Sequence, residues 1–364
     1  MKVKKLLINI FLISLIVLIF TGCKSINNKN PQVNIFNPTS AMDVAKKYLE
    51  NVSKGELSKA NELCVEELLN KNKIVSTGTS KIVAYNVDEL IETANSVYVV
   101  FNVLRSSNSE PKCDLDSFAI KVVKLQEDYK ITEVKAVNKK QIFVKNNGLR
   151  VIDEGVGNSQ LIVSLNNMPK DVYPRENKVM LYKEVAPRDA FGTISLSYTG
   201  QKIAISTVGD GNVFIAIGYM DESKEVQGTS DGGEGKTSNE AGESNELENL
   251  LEKPIAKKIV PVDLLKDIKI ENFIFSQEEN NLIVEYVENS GVKRIKLYKT
   301  EDGTLVNTKI DTMFPVEKYN VVLEGLDKNA IYINVSQVKG KNDINNELLG
   351  SYKLDLEKLD LVKK

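Results

Sequence analysis

The 364-residue sequence has no histidine, no tryptophan and only three cysteines. Lacking histidine, it lacks the commonest general base, the commonest metal ligand and the usual partner of a serine or cysteine nucleophile. Three cysteines are too few for a zinc ribbon or an iron–sulfur cluster. Arginine is scarce as well: five of the 48 basic residues are arginine and the rest lysine. Bidentate reading of phosphates or bases has few tools, and a formal net charge of −2 gives no basic surface, so no nucleic-acid partner is expected. No cofactor and no metal ligand set can be assigned. A chain this long usually divides into two folded units, since single cores stop growing near roughly 250 residues.

What is present begins with MKVKKLLINIFLISLIVLIFTGC. Three lysines precede an apolar run from Leu6 to Phe20, interrupted by Asn9 and Ser14, and the run ends in small residues and Cys23. This is the layout of an export signal. The segment resembles the signal of a bacterial lipoprotein, with Phe20-Thr21-Gly22-Cys23 as its lipobox; the family prefers leucine where Phe20 stands. The resemblance implies removal of residues 1–22 by cleavage after Gly22. Cys23 then becomes the N-terminus, lipidated with diacylglycerol, and ties the chain to the bilayer at the extracytoplasmic face of the cell membrane. Two acyl chains anchor stably where one does not. The mature chain would carry 45 basic and 50 acidic residues. Residues 23–38 then read as the lipidated Cys23 and a polar tether.

From Ser40 the pattern becomes helical. Ala41, Val44, Ala45, Tyr48, Leu49 and Val52 share one face, with Thr39 or Ser40 as N-cap and Gly55 as the stop. A second helix is expected with Leu57, Ala60, Leu63, Cys64 and Leu68 on one face. The period then changes to two, giving strands over Ile82–Val87, Val97–Leu104, Phe118–Leu125 and Tyr129–Val137, the last two joined by a turn at Glu127-Asp128. Helices followed by a strand meander argue an α+β unit over residues 39–140. The order, and the hairpin FAIKVVKLQEDYKITEVKAV, resemble the NTF2-like (cystatin-like cone) families. Enzymes of that superfamily usually carry a His–Asp pair in the cone, which this chain cannot supply. Asp88 and Asp114 are placed to face such a cone, with surface carboxylates as the default reading. Cys64 and Cys113 are read as unpaired; an exported protein permits a disulfide between them, and spacing alone does not bring them together.

Residues 146–364 read as an all-β domain built from a recurring strand–turn–strand–turn–strand unit. Three such units span residues 194–219, 273–306 and 321–362, and a weaker one spans 159–183. The segment FSQEENNLIVEY with IKLYKTEDGTLV resembles one blade of a TolB- or WD40-type β-propeller, although the Trp-Asp and Gly-His pairs of true WD40 repeats are absent. The resemblance implies a partial or small propeller. Between the first two units lies an acidic loop, 221–252, expected to be disordered; residues 221–250 hold nine acids and two lysines. The aromatics Tyr182, Phe191, Tyr198, Phe214, Phe273, Phe275, Tyr286, Tyr298 and Tyr332 are assigned to core packing.

Several motifs fail on inspection. GGEGKTS at 232–238 lacks the first glycine of a phosphate loop. GVGNSQ at 155–160 lacks the third glycine of a dinucleotide fingerprint, and DINNE at 343–347 lacks the glycine of a calcium loop. Ser53 is followed by Lys54 rather than by a lysine three residues on. No particular carboxylate pair stands out among 50 acids for glycoside chemistry. No catalytic residue is assigned. The expectation is a non-catalytic, membrane-anchored surface lipoprotein that binds an envelope protein or cell-wall component. The alternative is a small-ligand-binding lipoprotein using the cone or the centre of the sheet stack.

Overall fold

The computed structural model describes residues 36–71, 80–107, 109–174, 182–220, 252–341 and 343–364. The export signal, Gly22, Cys23, most of the tether, the GGEGKTS segment and nearly all of the acidic loop therefore lie outside the described residues.

Helix α1 spans Pro38–Ser53. Its cap is Asn37, whose Oδ1 accepts the Thr39 and Ser40 N–H groups at 3.0 and 3.3 Å. Pro38 explains the shift from the expected Thr39 or Ser40: proline suits the first helical position, because its missing N–H would go unpaired there. Gly55, at φ 74°, ends the segment in a left-handed conformation. The expected second helix is two short ones, α2 (Leu57–Glu62) and α3 (Glu66–Lys71). The break has a tertiary cause. The backbone around Cys64 pairs with a strand, with Val65 N–H bonding Ile131 O and Ile131 N–H bonding Leu63 O at 3.0 and 2.9 Å.

Six strands form the first sheet as an antiparallel meander: β1 (Lys81–Glu92), β2 (Ser96–Ser106), β3 (Lys112–Leu125), β4 (Asp128–Lys145), β5 (Gly148–Asp153) and β6 (Gln160–Ser164). The β3–β4 turn is Gln126-Glu127, one residue earlier than expected, with Gln126 at φ 58°. The β4–β5 turn is Asn146-Asn147, both at positive φ, as a two-residue hairpin turn of the primed type requires. This sheet runs through the boundary expected between residues 140 and 146, and it absorbs the start of the weakest repeat as β6.

The remaining strands form separate antiparallel sheets. A short pair joins β7 (Asp171–Val172) and β8 (Glu184–Val185). The next sheet contains β9 (Ala190–Leu196), β10 (Lys202–Gly209), β11 (Asn212–Met220) and β12 (Ala256–Lys266). A three-stranded sheet follows with β13 (Ile268–Phe275), β14 (Asn281–Glu288) and β15 (Lys293–Lys299). The last has β16 (Tyr319–Asp327), β17 (Ala330–Gln337), β18 (Gly350–Asp355) and β19 (Leu361–Lys363), preceded by the single helical turn α4 (Ile310–Met313). The described chain is thus mostly strand, in several antiparallel sheets.

Two of the sequence repeats are identical at their first turn. Ser197 Oγ accepts the Lys202 N–H, and Ser276 Oγ accepts the Asn281 N–H, both at 3.1 Å. In each, the fourth turn residue is left-handed, Gly200 at φ 72° and Glu279 at φ 55°. The unit at 321–362 turns instead through Lys328-Asn329 without a serine.

Three apolar clusters hold the molecule. Ala41, Ala45, Tyr48 and Leu49 of α1 pack on Val99, Phe101, Phe118 and Ile120 of the first sheet. Phe273, Phe275 and Tyr298 pack on Ile215, Ile217 and Val262. The largest cluster runs from Leu104 and Leu115 through Ile194 and Ile283 to Tyr352, so the two expected units share a core. Each such side chain contributes roughly 1.5–3 kcal/mol on burial. Of the nine aromatics assigned to the core, Tyr182 is the exception at 73% exposed, and Tyr332 is half-buried.

Candidate functional site

Consecutive sheets are joined by polar side-chain contacts. Ser106 Oγ donates to Ile194 O at 3.1 Å, linking β2 to β9, and Thr193 Oγ1 donates to Ile270 O at 3.2 Å, linking β9 to β13. Lys293 N–H donates to Asn320 Oδ1 at 2.9 Å, linking β15 to β16. Where β1, β13, β14 and β16 converge beneath α1, a cleft of about 390 Å³ remains.

Local irregularities shape it. A register shift leaves Val83 as a bulge in β1, and another leaves Glu324 as a bulge in β16. Bulges bend strands and re-aim side chains. The Glu285 carboxylate on β14 holds the second bulge in place: it accepts the Leu323 N–H at 3.0 Å and the Asn272 amide at 2.8 Å. Burial pushes this carboxyl above its ordinary pKa, and the two hydrogen bonds oppose the shift. Tyr85 closes the cleft from β1, donating to Lys46 O at 3.4 Å; burial pushes its phenol up to about 12.

The charges lining the cleft come from elements far apart in sequence. On α1, Lys54 pairs with Glu50 at 2.5 Å, while Lys46 has no ion-pair partner among the described residues. From β16 come Glu324 and Asp327, both exposed, and Glu324 acts with Glu50 on the Lys54 ammonium. Asn86 Oδ1 on β1 is buried with no hydrogen-bond partner among the described residues. The cleft is lined by charges of both signs.

The carboxylates singled out from the sequence part company. Asp88 is on the surface at 46% exposure, 3.8 Å from Lys139 Nζ. Asp114, read as a surface carboxylate by default, is 2% exposed. It faces Arg105 across β2–β3 at 3.7 Å, and Asp116 pairs with the same guanidinium at 2.5 Å. Gln141 donates to Asp114 at 2.9 Å and Asn138 to Asp116 at 2.8 Å. The β2–β3–β4 register sets these five residues opposite one another. Every carboxylate there is answered by a donor, so the cluster reads as a satisfied buried network. Alternation alone assigned no partners, since they sit on three strands.

Among the described residues, no group of three or more His, Cys, Asp or Glu is placed to hold a metal ion. Cys64 and Cys113 are free thiols. Gly155 serves a β5–β6 turn, while Asp343 of the calcium-like segment pairs with Lys318 at 2.9 Å. Ser53 Oγ donates to Glu50 O at 2.8 Å, so Ser53 and Lys54 are tied into α1. Glu252, expected at the end of the acidic loop, is fixed instead: it accepts two bonds from Arg150, at 2.9 and 2.7 Å, and one from the Leu161 N–H at 2.9 Å.

No family model and no curated protein matches the chain. Among solved structures, it is similar to a puromycin-hydrolysing peptidase of Mycobacterium tuberculosis, with 11% identity and a TM-score of 0.28 over 77% of this chain and 38% of that one. A second is Hsv2 of Kluyveromyces marxianus, with 6% identity and a TM-score of 0.30 over 81% of this chain and 77% of that one. A third is oligopeptidase B of Trypanosoma brucei, with 10% identity and a TM-score of 0.31 over 89% of this chain and 43% of that one. The chain spans less than half the length of both peptidases. At these TM-scores the superpositions assign neither fold nor activity.

Proposed function

We propose that the chain is a lipid-anchored lipoprotein of the extracytoplasmic membrane face, whose folded body binds a protein or cell-wall component and performs no catalysis of its own. The observation that carries this reading is the segment ending in Phe20-Thr21-Gly22-Cys23: lysines, an apolar run and a small-residue approach to a cysteine. Tertiary shape supports the binding half. Sheets joined by polar contacts leave broad faces and a polar cleft beneath α1. Helices α1–α3 with the first sheet are read as an NTF2-like cone, and the sheets from β9 to β19 as blades of a partial propeller. The shared serine turns at Ser197 and Ser276 support the second assignment.

The test is growth with an alkyne-tagged palmitate, followed by crosslinking on intact cells. The wild-type chain takes up the label, partitions with membranes and captures a reproducible envelope neighbour. Cys23→Ala loses both label and neighbour. A chain that carries no label and is recovered without membranes would overturn the reading.

A further inference from the structure

We propose that the chain stands on the bilayer with the β3–β4 end of the first sheet against the lipid and the cleft end pointing away. The inference rests on the lipid anchor proposed above and adds the surface that meets the membrane. From Cys23 to Phe36 the chain can reach at most about 45 Å, at roughly 3.3–3.6 Å per residue, so Phe36 stays close to the bilayer. Its place on the body is fixed. Phe36 meets the Tyr129 ring edge-on at 5.6 Å between centroids, and the Asn37 N–H donates to Tyr129 OH at 2.8 Å. Tyr129 lies in β4 just after the β3–β4 turn. From there α1 runs about 24 Å, at roughly 1.5 Å per residue, and Ser53 and Lys54 at its far end line the cleft with Asp327 of β16. The tether and the cleft are thus at opposite ends of one helix.

The tether end carries exposed apolar side chains. Leu125, 47% exposed, pairs with Asp128 across the turn, next to Tyr129. Ile91, 46% exposed, flanks the neighbouring β1–β2 turn, where Ser96 lies in register with Val123. Charge does not draw this end to a membrane. Glu92, Glu127 and Asp128, all exposed, outnumber Lys124 and Lys130. Lys124 lies 5.7 Å over the Tyr129 ring, and Lys130 donates to Glu62 O at 2.7 Å. The contact is therefore apolar and held by proximity. A short tether gives an effective concentration on the order of millimolar, so weak apolar contacts suffice. Taking the exposed half of one leucine out of water is worth about fivefold in such an equilibrium.

The test uses the full acylated chain in phosphatidylcholine vesicles, with and without phosphatidylglycerol. An environment-sensitive dye is attached at Leu125→Cys or, beyond the far end of α1, at Asn329→Cys in the exposed β16–β17 turn. Brief labelling near neutrality selects these positions, because burial pushes the Cys64 and Cys113 thiols up. The dye at 125 should shift to the blue on vesicles and be quenched by brominated lipid, and the dye at 329 should do neither. Phosphatidylglycerol should weaken the shift. Hydrogen exchange gives a dye-free reading: amides of residues 124–129 gain protection on vesicles, and Leu125→Ser cuts that gain about fivefold. Unfolding curves of each variant separate lost contact from lost fold. Equal emission at both positions, or a shift that requires phosphatidylglycerol, would overturn the inference. Flotation is scored on the same sample. A chain that floats with the vesicles while position 125 stays in water defeats this inference and leaves the anchor standing; a chain that does not float defeats both.

Discussion

The Glu279 carboxylate spans two sheets: from the β13–β14 turn its Oε1 accepts the Thr199 N–H of the β9–β10 turn at 2.7 Å. Its Oε2 takes the Thr199 hydroxyl at 3.0 Å and Lys202 Nζ at 3.3 Å. The residue that supplies the left-handed position of one repeat thus locks it to the repeat before. Glu279→Ala leaves a half-buried N–H and a lysine without their acceptor, and should destabilise by about 1–3 kcal/mol. Denaturant unfolding with a double-mutant cycle against Thr199→Val checks this. A coupling energy near zero would mean that the two turns do not act together.

Tyr298 OH donates to Asp263 Oδ2 at 2.6 Å, and both residues are fully buried. Tyr298→Phe keeps the ring and removes one donor to a buried carboxylate. A loss of about 1.5–3 kcal/mol in unfolding free energy is expected. A change within about 0.5 kcal/mol, the level of ordinary surface substitutions, would show that Asp263's remaining interactions suffice.

Glu285 predicts a pH effect of definite sign. Its folded pKa is raised, so between the ordinary carboxyl value and the folded value the native state binds more protons than the unfolded state. Stability contributed by this group therefore falls as pH rises through that window. Glu285→Gln removes the titration, and the Asn272 amide can turn to accept from the new donor. Urea midpoints of wild type and variant, measured from pH 4 to pH 8, should diverge in the variant's favour as pH rises. Parallel curves would refute the assignment.

Burial raises both described thiols, Cys64 up to about 11 and Cys113 further, so neither is an effective nucleophile near neutrality. A thiol reagent at pH 8 should react slowly with the folded chain and rapidly after denaturation. If Cys23 is held as a thioether, the denatured count is two. A count of three would contradict lipidation, and a count of zero or one without reductant would contradict the free thiols.

Much of this molecule is legible from local pattern. Ala41, Ala45 and Leu49 at helical spacing predict α1, and alternating runs predict the strands of the first meander, because burial on one face imposes the period of the element on the sequence. The serine turns of 194–219 and 273–306 are visible as a repeat for the same reason: the hydrogen bond that closes each turn is local. The break between α2 and α3 is not visible, since it comes from pairing with Ile131, more than sixty residues away. Nor is the fate of Asp114, which depends on Arg105 and Gln141 on neighbouring strands.

By itself, then, the sequence determined α1, the strand rhythm, the strand–turn–strand repeat and the lipoprotein-like signal, all encoded within a few residues of chain. Only the tertiary structure decided that residues 148–164 extend the first sheet and that Glu252 belongs to Arg150. It alone brought Lys46, Asn86 and Glu324 around one cleft. Those outcomes depend on register, bulges and sheet-to-sheet packing between segments as much as 278 residues apart, and no local period records them.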